Sequence, residues 1–163
     1  MSIGLQYGFL GLVYLTGIAG FVAVPAARRR EAHAVFLFQN MLAWFLGLIA
    51  VEAGWLDYPV RELAQASSTS FVFEYLCYPV VAVYYNLYYP EGRSMAARLG
   101  WSALFAVCIT IPEYIIEAHT DLVKYTGWKW YWTTISISLT LALSRLFFTW
   151  FFGPHRVPAS GKR

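Results

Sequence analysis

The chain has 163 residues, 59% of them hydrophobic and 13% charged, with a formal net charge of +3. Soluble domains carry roughly 25% charged residues, and a chain of this size has too much surface to hide this many apolar side chains from water. These figures exclude an ordinary soluble domain; the two cysteines, Cys77 and Cys108, exclude a disulfide scaffold, and basic residues scattered among short breaks do not form a nucleic-acid-binding stripe.

A membrane-crossing helix needs about 20 mainly apolar residues. Five segments meet that length, at about 3–24, 33–55, 70–89, 99–119 and 129–152. The predicted fold is an all-α polytopic transmembrane helical bundle, a single domain over residues 1–163. The first segment is apolar before it is basic, with Pro25 and Arg28-Arg29-Arg30 following it. A secretory signal peptide has the opposite order, so this segment reads as a retained helix. Gly11, Gly17 and Gly20 would let it approach a neighbour closely.

The second segment ends near Glu52 and leads into a connection over 57–69, expected to lie along the membrane surface. The third follows Ser67-Ser68-Thr69-Ser70, which offers N-caps, and stops before Pro90. Pro79 and Pro112 fall inside the third and fourth segments, where each removes an internal hydrogen bond. Gly153-Pro154 is a stop signal for the fifth. All five runs are longer and more evenly apolar than the roughly 10-residue alternating strands of an outer-membrane barrel.

Orientation follows from the basic residues. One set of breaks holds Arg28, Arg29, Arg30, Arg93, Arg98, Arg156, Lys162 and Arg163, and the other holds Arg61, Lys124 and Lys129. The richer side is expected to be cytoplasmic, with the N-terminus outside and the C-terminus inside. Trp128, Trp130, Tyr131 and Trp132 then form an outer aromatic belt, and Tyr84, Tyr85, Tyr88 and Tyr89 line an inner one.

Ionisable groups inside a span cost roughly 2.5–3.5 kcal/mol and mark candidate sites. Glu74 enters the third segment by roughly 6 Å and Glu113 lies roughly 9 Å below the end of the fourth. Glu117 is one turn above Glu113, Glu52 closes the second segment, and His119 lies just beyond. Carboxylates from three helices thus converge at one depth. Without a cation they cannot all stay ionised in a dry site, so Glu74, Glu113, Glu117, Glu52 and His119 form a candidate cation or cationic-solute site. Binding of a cation or cationic solute at this outer cluster is the leading reading, with transport as its extension. Acid–base catalysis by a buried glutamate and a structural or accessory role are the alternatives. Neither metal identity nor cofactor follows from the spacing. Arg145, roughly 15 Å away along the normal, is expected to form an inner polar cluster with Asn40 and Asn86, with Gln39 nearby. The expected partners are the lipid bilayer, a second copy of the chain and a cation.

The stretches Tyr58-Pro59-Val60-Arg61, Ser70-Phe71-Val72-Phe73-Glu74-Tyr75, Asn86-Leu87-Tyr88-Tyr89-Pro90-Glu91 and Trp128-Lys129-Trp130-Tyr131-Trp132 carry a resemblance, as does Ser144-Arg145-Leu146-Phe147-Phe148-Thr149-Trp150-Phe151-Phe152. Together they resemble a family of small uncharacterised multi-pass membrane proteins of Bacillus-like and Clostridium-like spore-forming bacteria. The resemblance implies a bacterial plasma membrane location and no particular activity.

Overall fold

The computed structural model describes residues 2–153. Helix α1 (Ile3–Val22) is followed by a 3-10 turn at Ala26–Arg28 and by α2 (Arg29–Glu52). A third helical segment, 71–87, contains a π-helical turn at Phe73–Cys77 and then α3 (Tyr78–Leu87). Helices α4 (Met95–His119) and α5 (Trp130–Phe152) complete the bundle. Two short strands, β1 (Leu56–Asp57) and β2 (Lys124–Tyr125), pair antiparallel and tie the α2–α3 connection to the α4–α5 connection. This is the strand end of the bundle. Arg28 and Arg145 both serve the opposite, arginine end.

Four helices, Ile3–Val22, Ala26–Glu52, Met95–His119 and Trp130–Phe152, are long and apolar enough to cross a membrane. They turn large apolar side chains outward, including Leu15 at 68% and Trp150 at 78% exposure. A soluble monomer does not display apolar surface on this scale, whereas lipid is its natural solvent. The chain is a multi-pass membrane protein with an all-α bundle fold.

The third segment differs from its expected form. Its 17 helical residues span about 25 Å, short of the roughly 30 Å hydrocarbon thickness. It touches all four other helices and buries Pro79, Val80, Ala82, Val83, Tyr85, Asn86 and Leu87. Irregular backbone is tolerated at membrane depth where protein surrounds it and satisfies its polar groups. Here the Pro79 ring removes the N–H that a regular helix would aim at the Tyr75 carbonyl. Asn40 of α2 donates to that carbonyl instead, at 2.9 Å.

Two other boundaries moved. Helix α2 begins at Arg29, four residues before the expected 33, on the turn after Pro25, and Arg28 pairs with Glu31 at 2.9 Å. Helix α4 begins at Met95 because Ser94 caps it, accepting from the Ala97 N–H. The stop at Gly153 is present, with a φ of 71° that glycine favours. Pro154 and the tail residues Arg156, Lys162 and Arg163 used in the orientation argument lie outside the described residues.

Helix α1 packs on the third segment through two of the three glycines singled out above. A Cβ at Gly17 would come within 2.7 Å of the Leu76 side chain, and one at Gly20 within 3.2 Å of Val80. Among the described residues, nothing lies within 4 Å of a Cβ placed on Gly11. The Tyr84 hydroxyl donates to the Gly20 carbonyl at 2.7 Å across the same contact.

The 57–69 connection lies on the surface only in part: residues 63–66 are exposed, while its first residues turn inward. Leu56, Tyr58 and Val60 are buried in a cluster with Leu10, Ala50, Val72, Phe73, Leu122 and Val123, so the start of the connection plugs the strand end. Glu62, rather than the serine run, caps the third segment: its carboxylate accepts from the Phe71 N–H and the Ser70 hydroxyl.

Candidate functional site: a carboxylate pair at the strand end

Glu74 sits in the π-helical turn and Glu113 in α4, the residue after Pro112 in the direction of the strand end. Both are buried, at 4% and 9% exposure, and both line one cavity of about 80 Å³ bounded mainly by α2, the third segment and α5. A water needs about 10–15 Å³ by this measure, so the cavity has room for about five.

The two carboxylates are held differently. Glu113 accepts three hydroxyl donors: Tyr78 at 2.8 Å on Oε2, and Tyr125 at 2.8 Å and Thr133 at 2.7 Å on Oε1. Trp128 braces this shell by donating from Nε1 to the Thr133 hydroxyl at 2.8 Å. Among the described residues, Glu74 accepts from the Tyr58 hydroxyl alone, at 3.2 Å on Oε1. Its carboxylate lies on bare backbone, since a Cβ at Gly47 would come within 2.7 Å of that oxygen. Among the described residues, neither carboxylate forms a salt bridge with a lysine or arginine.

The hydroxyl donors in the connections are themselves shaped by the pair. Burial first, and then the neighbouring Glu74 carboxylate, push the Tyr58 phenol well above its ordinary range. Burial and then Glu113 do the same to Tyr125. Both stay neutral O–H donors at physiological pH.

Gln39 completes the site. It is 1% exposed, it lines the cavity, and its Oε1 has no hydrogen-bond partner among the described residues. A buried amide left in this state costs about 1–3 kcal/mol unless something in the cavity satisfies it.

The remaining acidic-cluster residues stand apart. Glu52 is exposed at the end of α2, and His119 is exposed with its Nδ1 on the Ile115 carbonyl. Glu117 is half-buried, its backbone carbonyl accepting from Lys124 Nζ, and it does not line the cavity. Asp121 bonds Gln6 and lies 3.6 Å from Lys124. Among the described residues, no group of three or more His, Cys, Asp or Glu side chains is placed to hold a metal ion.

The arginine end is a separate cluster. Arg145 pairs with Glu91, donates to the Asn86 carbonyl at 3.2 Å, and lies over the Tyr89 and Phe148 rings at 4.5 and 4.9 Å. Arg28 donates to the Leu87 carbonyl. Two guanidinium groups thus satisfy the last carbonyls of α3, where the helix dipole favours positive charge. Asn86 also donates to Ser144 at 2.9 Å, joining α3 to α5. Asn40 does not join this group, because Tyr75 takes its amide, and Gln39 faces the acidic cavity instead.

Compared with known protein families, with curated proteins and with solved structures, the chain finds no match.

Tyr58, Tyr78, Tyr125, Thr133 and Gln39 were not legible as site residues in the sequence. Tyrosine near a membrane boundary reads as an interfacial anchor, and only the folding-in of the two connections brings Tyr58 and Tyr125 to the glutamates. Glu91 carried a signal, being an acid just past the end of the third segment and close to the level of Arg145.

Proposed function

We propose that this chain is a membrane-embedded acid–base protein in which Glu74 exchanges a proton with a small molecule in the cavity, in the manner of a membrane enzyme using a buried glutamate. The observation that carries this reading is the asymmetry of the pair. Glu113 has its acceptor capacity largely used by three O–H donors, while Glu74, with one, faces the cavity beside an unsatisfied amide. Two carboxyl groups around one small cavity do not both carry full charge without a counter-ion, so a proton moves at the less anchored one. Glu113, Tyr78, Tyr125 and Thr133 hold the geometry.

The distribution of basic residues supports an orientation with the strand end outside and the arginine end in the cytoplasm. Helix 71–87 would then be the third of five spans. Bulk transport of a metal cation is less well served, because two carboxylates stand without further metal-binding side chains. A structural or accessory role is favoured by one observation, the arginine-end clamp, which locks α3 to α5 whatever the cavity does.

Infrared spectroscopy of purified protein across a pH titration tests the acid–base reading. The carboxyl band that titrates should vanish in Glu74→Gln and persist in Glu113→Gln. A band indifferent to Glu74→Gln would remove Glu74 from the role.

A further inference from the structure

We infer that the cavity receives a cationic nitrogen with at least three N–H bonds, either ammonium itself or the head of a short primary alkylamine. The inference rests on the acid–base reading above and names the ligand class of the same site.

A census of donors and acceptors around the cavity leads to it. The hydroxyl protons at the site are spent on groups already there. Tyr58 gives its proton to Glu74, and Tyr78 and Thr133 give theirs to Glu113. Ser136 donates to the Thr133 carbonyl and Thr140 to the Ile137 carbonyl, each at 3.1 Å, which leaves those hydroxyls only lone pairs to offer. Gln39 Oε1 is an acceptor with nothing to accept, and Glu74 has acceptor capacity in hand. Apart from the N–H groups of the Gln39 amide, the cavity presents acceptors and negative charge, which a donor-rich cation would satisfy.

Number and size select among cations. A primary alkylammonium carries three N–H donors and ammonium four, of which Glu74, Gln39 Oε1 and a hydroxyl lone pair would satisfy three. Calcium needs six to eight oxygen ligands and magnesium a near-ideal octahedron, and the carboxylates here number two, one of them largely engaged. Room for about five waters fits an ammonium head with one or two carbons. An amine arriving neutral takes the proton from a protonated Glu74, the O–H bond breaking as the N–H bond forms, and leaves an ion pair.

Calorimetry on the purified full-length protein tests this with four probes: ammonium, methylammonium, potassium and tetramethylammonium. Potassium has the charge of ammonium and tetramethylammonium its nitrogen, but neither has an N–H. Ammonium and methylammonium should bind and the other two should not. Glu74→Gln and Gln39→Leu should each weaken binding by about tenfold or more, the usual loss for one hydrogen bond to a charged group. Gln39→Leu relieves an unsatisfied buried amide, so it should fold at least as stably as the wild type, which separates lost binding from lost structure. Equal binding of all four cations, no binding of any, or wild-type affinity in Gln39→Leu would overturn the inference. Failure of ammonium to bind while the Glu74-dependent infrared band persists would discard the ligand class and leave the acid–base reading standing.

Discussion

The Glu74 carboxylate rests directly on the backbone of Gly47, where any β-carbon would come within 2.7 Å of Oε1. With glycine at that position, helix α2 and the Glu74 carboxylate meet without either being displaced. Gly47→Ala should force the carboxylate or the helix to move and destabilise the protein by about 1–3 kcal/mol, the usual cost of overpacking. Thermal unfolding in detergent measures this, and in Gly47→Ala combined with Glu74→Ala the cost should largely disappear.

The Thr133 hydroxyl donates to Glu113 and accepts from Trp128, and it lies 3.4 Å from the Tyr125 hydroxyl. Thr133→Val keeps the shape and removes these bonds, leaving the indole N–H of the half-buried Trp128 without its acceptor. The expected loss is about 2–4 kcal/mol, larger than for Tyr78→Phe, which removes one bond to the same carboxylate. Equal losses in the two variants would show that the Trp128 brace contributes nothing.

Tyr58 and Tyr125 make stability depend on alkaline pH. A phenol held neutral in the folded state ionises more readily in the unfolded chain, with a pKa of about 10. Its contribution is fully present below about pH 10 and is lost as pH rises further, because the unfolded chain then holds fewer protons than the folded one. The melting temperature should fall above about pH 10. The fall should be shallower in Tyr58→Phe and in Tyr125→Phe, where one such group has been removed.

How much of this was legible in the sequence depends on whether a residue's partner is near in the chain or brought by packing. The apolar runs, the stops at Pro25 and Gly153, and the close approach at Gly17 and Gly20 follow from local chemistry and lie where expected. Glu74 and Glu113 stood out because charge at membrane depth is costly wherever it occurs. Placing Glu52, Glu117 and His119 with them required an assumption about helix rotation, and these three face elsewhere. The same assumption assigned Gln39 and Asn40 to one polar group. They are adjacent on α2 and therefore point about 100° apart, one to the cavity and one to Tyr75. The folding of the 57–69 connection into the bundle end had no local signature beyond its alternating Leu56, Tyr58 and Val60.

Arg145 is the principal clamp at the arginine end, and its planar fork suits the Glu91 carboxylate, the Asn86 carbonyl and two aromatic faces together. Arg145→Leu should cost about 3–5 kcal/mol, since it strands Glu91 and uncaps α3. Arg145→Lys should recover only part of this, because an ammonium can keep the ion pair but not the stacking. Unfolding of the two variants in parallel provides the check.

The account rests on Glu113 being the anchored carboxylate and Glu74 the free one, and unfolding of Glu113→Gln beside Glu74→Gln tests that most directly. At position 113 the amide nitrogen cannot accept from a tyrosine hydroxyl, so at least one of three bonds is lost and stability should fall by about 1.5–3 kcal/mol. At position 74 the amide oxygen can keep the Tyr58 bond, and stability should stay within about 0.5 kcal/mol of wild type or rise. The reverse order, with Glu74→Gln the more damaging, would contradict the account.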